Sequence, residues 1–382
     1  MPVIKKRIKG PPSALSQELN GVILPSTSKR RETPLWRGPQ EDGVTFSLLS
    51  RFLVCRERFR LHIVEGLQAA ERFSAPLHFG NMWHCCEEAH AGNRDWETAL
   101  AQHVGELRAR LPFDQEPILH WYSVAQELFP SYVTHWAKHP DVRDRTPLLQ
   151  EQSFSVPYKL PSGRTVTLRG KWDSVDLIGR GKAASVYIQE NKTKSQINGP
   201  KIARQLTFDL QTMIYVVALL EWDAPPDNLE WPGKGGWEGQ LKESCIPVQG
   251  ARYNVIRRSA HKSVESMMAK LEEDRDAGRI GEWFARWRVE ITPEDVARFR
   301  QECLDPILEQ LCDWWTWVKD GQDPFRRSVG YLVRESPGLH WRHPFGVYNV
   351  LDEGGSSDLD EHLATGSEAG LRRVEDLYPE LK

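Results

Sequence analysis

The chain has 382 residues, 50 Lys and Arg against 53 Asp and Glu, and a formal net charge of −3. That length buries a full core in one elaborated domain or two smaller ones. No stretch approaches the roughly 18 apolar residues of a membrane span, and no secretory signal opens the chain, so a cytoplasmic protein is the expectation. Residues 1–45 carry Lys5, Lys6, Arg7 and Lys9, then Pro11-Pro12, then Lys29-Arg30-Arg31, with little apolar periodicity. They read as a flexible basic arm, either solvated or an electrostatic hold on phosphates. Residues 46–67 place apolar side chains at helical spacing and close on Gly66, as one amphipathic helix. Cys55 within it reads as a packed core thiol. The six cysteines, at 55, 85, 86, 245, 303 and 312, form no disulfide framework.

His84 opens a second helical stretch that runs through Trp96 to Leu111, interrupted near Gly92-Asn93. Glu88, one turn on, shares its face and is a candidate to orient the imidazole. The run His84-Cys85-Cys86-Glu87-Glu88-Ala89-His90 lacks H-E-x-x-H spacing, and residues 84 and 90 fall on different faces, which argues against zinc. A further helix is expected over 118–139 and a loop over 140–147. Residues 154–160, the turn Pro161-Ser162-Gly163 and residues 165–178 read as a hairpin, followed by a strand from 184 that carries Glu190-Asn191-Lys192. Side chains two apart on a strand share a face, so Glu190 and Lys192 converge while Asn191 turns away. Antiparallel pairing of the two strands brings Asp173 beside Glu190, and Asp176 falls on the opposite face. Two convergent carboxylates make a site for a hard cation such as Mg2+ or Mn2+.

After Thr193-Lys194-Ser195 and a loop around Gly199-Pro200, one helix is expected over 201–221, starting at Pro200. On it Arg204, Gln211 and Tyr215 project together, with Gln205 one step around. Thr193, Lys194, Lys201 and Arg204 set basic and hydroxyl groups where a phosphate backbone would run. Beyond residue 222 the reading is a Pro/Gly/Trp-rich loop over 222–239, a strand over 251–258, a charged helix over 263–278 and a strand over 286–291. Thr292-Pro293 then opens a long helix reaching Lys319, with Trp314-Trp315-Thr316-Trp317 as core or interface. From 338 the chain is irregular and ends in an acidic tail. No G-x-x-x-x-G-K-[ST] loop is present, so no helicase is encoded.

Taken in order, Gly80-Asn-Met-Trp-His84, Asp173, Glu190-Asn191-Lys192 and Gln211-Thr-Met-Ile-Tyr215 resemble the signature of the PD-(D/E)-x-K nucleases, and of the RecB-type exonuclease branch in particular. The ordered set spans about residues 47–220. The resemblance implies an α/β fold with a central mixed sheet flanked by helices and a helical C-terminal extension. It divides the chain into an arm (1–45), a nuclease core (46–222), an accessory region packing on it (223–337) and a tail (338–382). It implies one or two Mg2+ or Mn2+ ions held by His84, Asp173, Glu190 and the main-chain carbonyl of Asn191. Lys192 would position or deprotonate the attacking water and neutralise charge. Gln211 and Tyr215 would bind or orient DNA, with Arg204, Gln205, Thr193 and Lys194 beside them.

The implied activity is hydrolysis of DNA, as an exonuclease in recombination, repair or phage DNA processing, in a bacterial or phage-infected cell and with a helicase or recombination partner. A Cys placed like Cys55 ligates an iron-sulfur cluster in some relatives, but the three further grouped cysteines are missing here, which disfavours a cluster. Two rival readings are a non-cleaving DNA-binding or structural subunit of a helicase-nuclease assembly and a metal hydrolase acting on another substrate. The complete set of His, two acids and Lys argues against the first. The Arg/Lys-rich stretch 192–204 argues against the second.

Overall fold

The computed structural model describes residues 33–54, 56–69, 71–180, 184–206, 209–222, 248–258, 261, 263–320 and 371–374. The expectations for residues 1–32, for Cys55 and Cys245, for most of the loop over 222–239 and for nearly all of the tail lie outside them. The chain divides into two compact units, one built from residues 38–49 and 71–313, the other from the described parts of 1–37, 50–70 and 314–378.

In the larger unit five strands lie side by side in chain order: β1 (Arg145–Lys159), β2 (Thr165–Ile178), β3 (Ser185–Lys194), β4 (Val248–Arg257) and β5 (Phe284–Glu290). β1, β2 and β3 are successively antiparallel, β4 runs parallel to β3, and β5 returns antiparallel. The β1–β2 hairpin closes as its turn chemistry requires. Gly163 takes φ +85, open to glycine without a steric cost, and the Leu160 N–H donates to the Arg164 carbonyl at 2.8 Å. β1 begins at Arg145, well before the expected start. Pro140–Arg143 forms one helical turn in place of the loop, and Pro147 is tolerated because β1 is an edge strand with a register shift between Pro147 and Leu149.

The helices are α1 (Phe46–Val54), α2 (Ala75–Ala91), α3 (Trp96–Arg110), α4 (Gln115–Trp136), α5 (Gly199–Leu206), α6 (Leu210–Glu221), α7 (Val264–Asp276), α8 (Pro293–Phe299) and α9 (Asp305–Lys319). Parallel pairing of β3 and β4 demands a crossover, and α5 and α6 lie on it. Residues 212–219 of α6 are buried on every side, in keeping with the unbroken run Met213-Ile-Tyr-Val-Val-Ala-Leu. The single helix expected over 201–221 is broken. Asp209 caps α6, its Oδ2 accepting from the Thr212 N–H (3.1 Å) and hydroxyl (3.0 Å), so local side-chain bonding starts a new helix there.

On the other side α2, α3, α4 and α7 share a core of Phe79, Trp83, Leu128, Phe129, Met267 and Leu271, joined by Ile256 of β4 and Phe284 of β5. Each such buried side chain contributes about 1.5–3 kcal/mol. α2 starts at Ala75 rather than at His84, because Pro76 sits in its first turn and pre-forms it. His84 is therefore a mid-helix residue. Residues 38–45, expected within a flexible arm, are packed. The Val44 N–H donates to the Thr167 carbonyl and its carbonyl accepts from the Arg169 N–H, both at 2.8 Å. The helix expected from Thr292 to Lys319 is one helical run, with its Thr292 capping box, widened by a π-turn at Arg300–Leu304 between α8 and α9.

In the smaller unit Trp36, Phe52, Phe59 and Trp314 pack edge-on, with ring centroids 5.3 Å (Trp36–Phe59), 5.7 Å (Phe52–Phe59) and 5.4 Å (Phe59–Trp314) apart. Trp314 and Trp315 are core, whereas Trp317 is partly exposed. The helix expected over 46–67 bends, because a π-turn at Arg60–Val64 follows α1 and a short helical turn, and the buried Arg60 and Glu65 pair across it at 3.2 Å. It ends at Gly66, with φ +69. A short strand, Leu67–Ala69, then pairs antiparallel with Leu371–Arg373. No helix among the described residues is long and apolar enough to cross a membrane.

Candidate metal centre and active site

The register of β2 against β3 sets the site. Ser174 pairs with Gln189, so Asp173 and Glu190 stand opposite each other. Alternation along β3 sends Asn191 to the far face, where its Oδ1 accepts from Asn254 Nδ2 at 2.9 Å. Glu190 and Lys192 stay on the near face. Lys192 Nζ donates to Glu190 Oε2 (2.7 Å) and to Gln211 Oε1 (2.8 Å) on α6, and Gln211 Nε2 donates on to the Tyr215 hydroxyl (3.3 Å). Asp173 Oδ2 accepts the Asn191 N–H at 2.8 Å. From α2, His84 places Nδ1 3.3 Å from Asp173 Oδ1 and Nε2 3.3 Å from the Asn191 carbonyl oxygen. An imidazole, two carboxylates and an ammonium thus meet from α2, β2 and β3.

A third carboxylate joins them that the sequence did not disclose. Glu151 Oε1 lies 3.3 Å from His84 Nδ1, and its Oε2 is 2.5 Å from Lys171 Nζ. Glu151 sits on β1 between the pairs Gln150–Ser174 and Gln152–Trp172, across from Asp173, with φ +47. A non-glycine residue in that left-handed region carries backbone strain, which collects at functional sites. One ligand atom from each of His84, Glu151 and Asp173 falls within 4.8 Å of the others. Glu88, expected to orient His84, instead pairs with Arg94 at 2.7 Å. The oxygens that orient the imidazole are those of Glu151 and Asp173.

The electrostatics of the cluster follow from burial and charge. Burial lowers His84, but the Asp173 and then the Glu151 carboxylates outweigh it and raise the imidazole well above its ordinary value. Burial pushes Glu190 up to about 7, with the Lys192 ammonium pulling it down and Asp173 adding to the rise. Burial also works against the charged forms of Asp173 and Lys192. His84 and Lys192 nevertheless hold Asp173 below the usual carboxylate range, and Glu190 and Asp173 hold Lys192 above the usual lysine range.

These residues fit a divalent cation. Glu190 is fully buried, and its Oε1 has no hydrogen-bond partner among the described residues, a placement that costs about 1–3 kcal/mol unless something positive faces it. Carboxylate and carbonyl oxygens joined by a single imidazole are a donor set that suits a divalent cation.

The remaining expected residues divide. Thr193 and Lys194 end β3, and Lys194 is exposed. Arg204 is exposed on α5, its Nε donating to the Pro200 carbonyl at 3.3 Å, and the helix break removes it from the face of Gln211. The side chain of Gln205 lies outside the described residues. Tyr215 is buried against Phe154, ring centroids 5.4 Å apart, and a Cβ at Gly170 would stand 3.0 Å from its ring. It has no open face for a nucleic acid. Asp176 is on the opposite face, as expected, and wholly buried. Its Oδ2 accepts from Arg252 Nη2 at 2.6 Å and lies 2.8 Å from Arg145 Nε, while its Oδ1 accepts from the Ser174 hydroxyl at 2.6 Å. Asp209 is a further charged residue that the sequence reading passed over, readable only as the cap of a helix expected to be continuous there.

A search of curated protein sequences finds no match to the chain. A family model of the PD-(D/E)XK nuclease superfamily matches residues 44–316, which takes in the whole five-stranded sheet and every member of the cluster around Glu190. With the E-x-K pair on a central strand, the first acid opposite it and a match over most of its length, the chain belongs to the PD-(D/E)XK nuclease superfamily, whose members are metal-dependent nucleases.

Proposed function

We propose that this protein hydrolyses phosphodiester bonds in DNA with Mg2+ or Mn2+, acting as an exonuclease. The observation that carries the reading is the convergence of His84, Asp173, Glu190 and Lys192 from separate segments onto one cluster. His84, Asp173 and Glu151, whose ligand atoms cluster, would hold the metal, with the Asn191 carbonyl beside His84 and the Lys192-paired Glu190 completing the set. Bound there, a divalent ion polarises the phosphoryl oxygens and acidifies a water.

The protein's own groups do the rest. Lys192 is held as an ammonium by Glu190 and Asp173, so it positions the phosphate or water and neutralises charge, and does not act as the base. Gln211 is a positioning residue that holds the Lys192 ammonium together with Glu190, and Tyr215 fixes Gln211 in turn. Thr193, Lys194 and Arg204 supply the phosphate track. The exonuclease reading, and a place in recombination, repair or phage DNA processing beside a helicase or recombination partner, rest on the resemblance to RecB-type enzymes.

The test is a time course on linear duplex DNA labelled separately at each end, with circular DNA as control. Lys192→Ala and Asp173→Ala each lower metal-dependent degradation by about 10²–10⁴-fold while circular dichroism stays native. Digestion at the unmodified rate by either variant refutes the metal-nuclease reading, and attack on circular DNA refutes the exonuclease reading.

A further inference from the structure

A cavity of about 390 Å³ opens directly beside Lys192. Its floor is Lys192 and Lys194 on one face of β3 with Val255 of β4, which is in register with Lys192. Ile202 and Leu206, one helical turn apart on α5, line it as well, and Asp209 stands at the start of α6. The lining is therefore aliphatic on two sides, with an exposed ammonium at Lys194 and a carboxylate at Asp209. Capping α6 occupies only Asp209 Oδ2, and Oδ1 accepts nothing from the described residues.

We infer that this cavity receives one unpaired nucleobase of the substrate strand, next to the scissile phosphate. The inference rests on the nuclease reading for the position of that phosphate. The chemistry of the lining matches the ligand part by part. Apolar walls take the flat faces of a base, an ammonium at the mouth takes the adjoining phosphate, and a carboxylate oxygen accepts from the exocyclic amine that adenine, cytosine and guanine carry and thymine lacks. A base held against these walls has left its stack and its partner, so the nucleotide entering the cavity is frayed, flipped or single-stranded. Lys192 belongs both to the cavity and to the catalytic cluster, which ties the base's position to the bond being cut. The substrate class that follows is DNA with an unpaired nucleotide at the cleavage position, and cleavage of a fully paired end is limited by fraying.

The test uses the full chain with Ca2+ and a single-stranded oligonucleotide carrying one 2-aminopurine at successive positions from its end. Unstacking into the cavity raises the emission several-fold at one position and leaves the others at background, and Ile202→Trp, which fills the cavity, abolishes that rise. Should Ile202→Trp fail to fold, an abasic scan of the unmodified protein decides. An abasic residue at the same position weakens binding about tenfold. Asp209→Asn keeps a helix-capping side chain but loses the preference, about tenfold, for amine-bearing bases over thymine.

Cleavage of end-labelled DNA with Mn2+ is followed in parallel. A flat emission profile and a flat abasic scan in a protein that cleaves overturn the cavity proposal and leave the nuclease reading intact. A position-specific signal in a protein that cleaves nothing keeps the cavity and overturns the nuclease reading. Absence of any binding overturns both.

Discussion

His84 and Glu190 must both shed a proton before they can ligate a metal, and both hold it more tightly than usual, Glu190 to about 7. Raised values on ligands mean that acid competes with the metal early. Metal affinity is therefore expected to fall as pH drops through 7, approaching about tenfold per pH unit for each titrating group, with protons released on loading. Calorimetry in buffers of different ionisation enthalpy measures both effects, and affinity that is constant from pH 8 to pH 6 would contradict the assignment. Glu151 gives a second test at this scale. Glu151→Asn keeps a residue that tolerates positive φ but replaces the carboxylate with an amide, so metal affinity falls about 10–100-fold with little change in stability. Unchanged affinity would make Glu151 a bystander held by Lys171.

At the scale of elements, the two faces of the sheet divide the labour. The face of β3 and β4 towards α6 carries Glu190, Lys192 and Tyr253, whose hydroxyl meets that of Thr212. The other face carries Asp176, Arg252, Gln189 and Asn254, a buried polar layer that meets the proposed metal site only through the side chain of Asn191. Its job is to hold β2, β3 and β4 in register. Asp176→Ala leaves Arg252 buried without its carboxylate and should cost about 3–5 kcal/mol in denaturant unfolding. Replacing both, as Asp176→Leu with Arg252→Met, should recover part of that loss. A cost under 1 kcal/mol for the single change would mean that the register is set elsewhere.

The elements also show what a sequence discloses. Alternation along 188–192 was enough to pair Glu190 with Lys192 and to turn Asn191 away, because period two is a local rule. Asp173 followed from a hairpin whose turn residues were plain. The place of His84 beside Asp173 was legible only through its order relative to the other motifs, since nothing local marks a mid-helix histidine as part of such a cluster. Glu151 was not legible. It arrives from an irregular edge strand of which residues 145–147 read as loop and residues 148–153 carry no assignment, through a backbone conformation that no pattern of apolar residues encodes. The link from Tyr215 through Gln211 to Lys192 joins a helix to a strand across the crossover, so spacing suggested the residues but not what they hold. The break at Asp209 was missed because the apolar periodicity on its two sides is nearly continuous.

Across the molecule, a net charge of −3 does not describe the surface that matters. The site gathers the carboxylates of Glu151, Asp173 and Glu190, and on the proposed reading a divalent cation bound there turns that cluster into a place where phosphate is attracted. The basic side chains Lys194 and Arg204 stand at its border rather than within it. On the proposed reading, metal binding both completes the site and admits the substrate. The most direct test is a crystal grown with Mn2+ and measured for anomalous scattering. A peak is expected among His84, Glu151, Asp173, Glu190 and the Asn191 carbonyl. At saturating Mn2+, the absence of that peak, or one lying only on exposed acids such as Asp95, would contradict it.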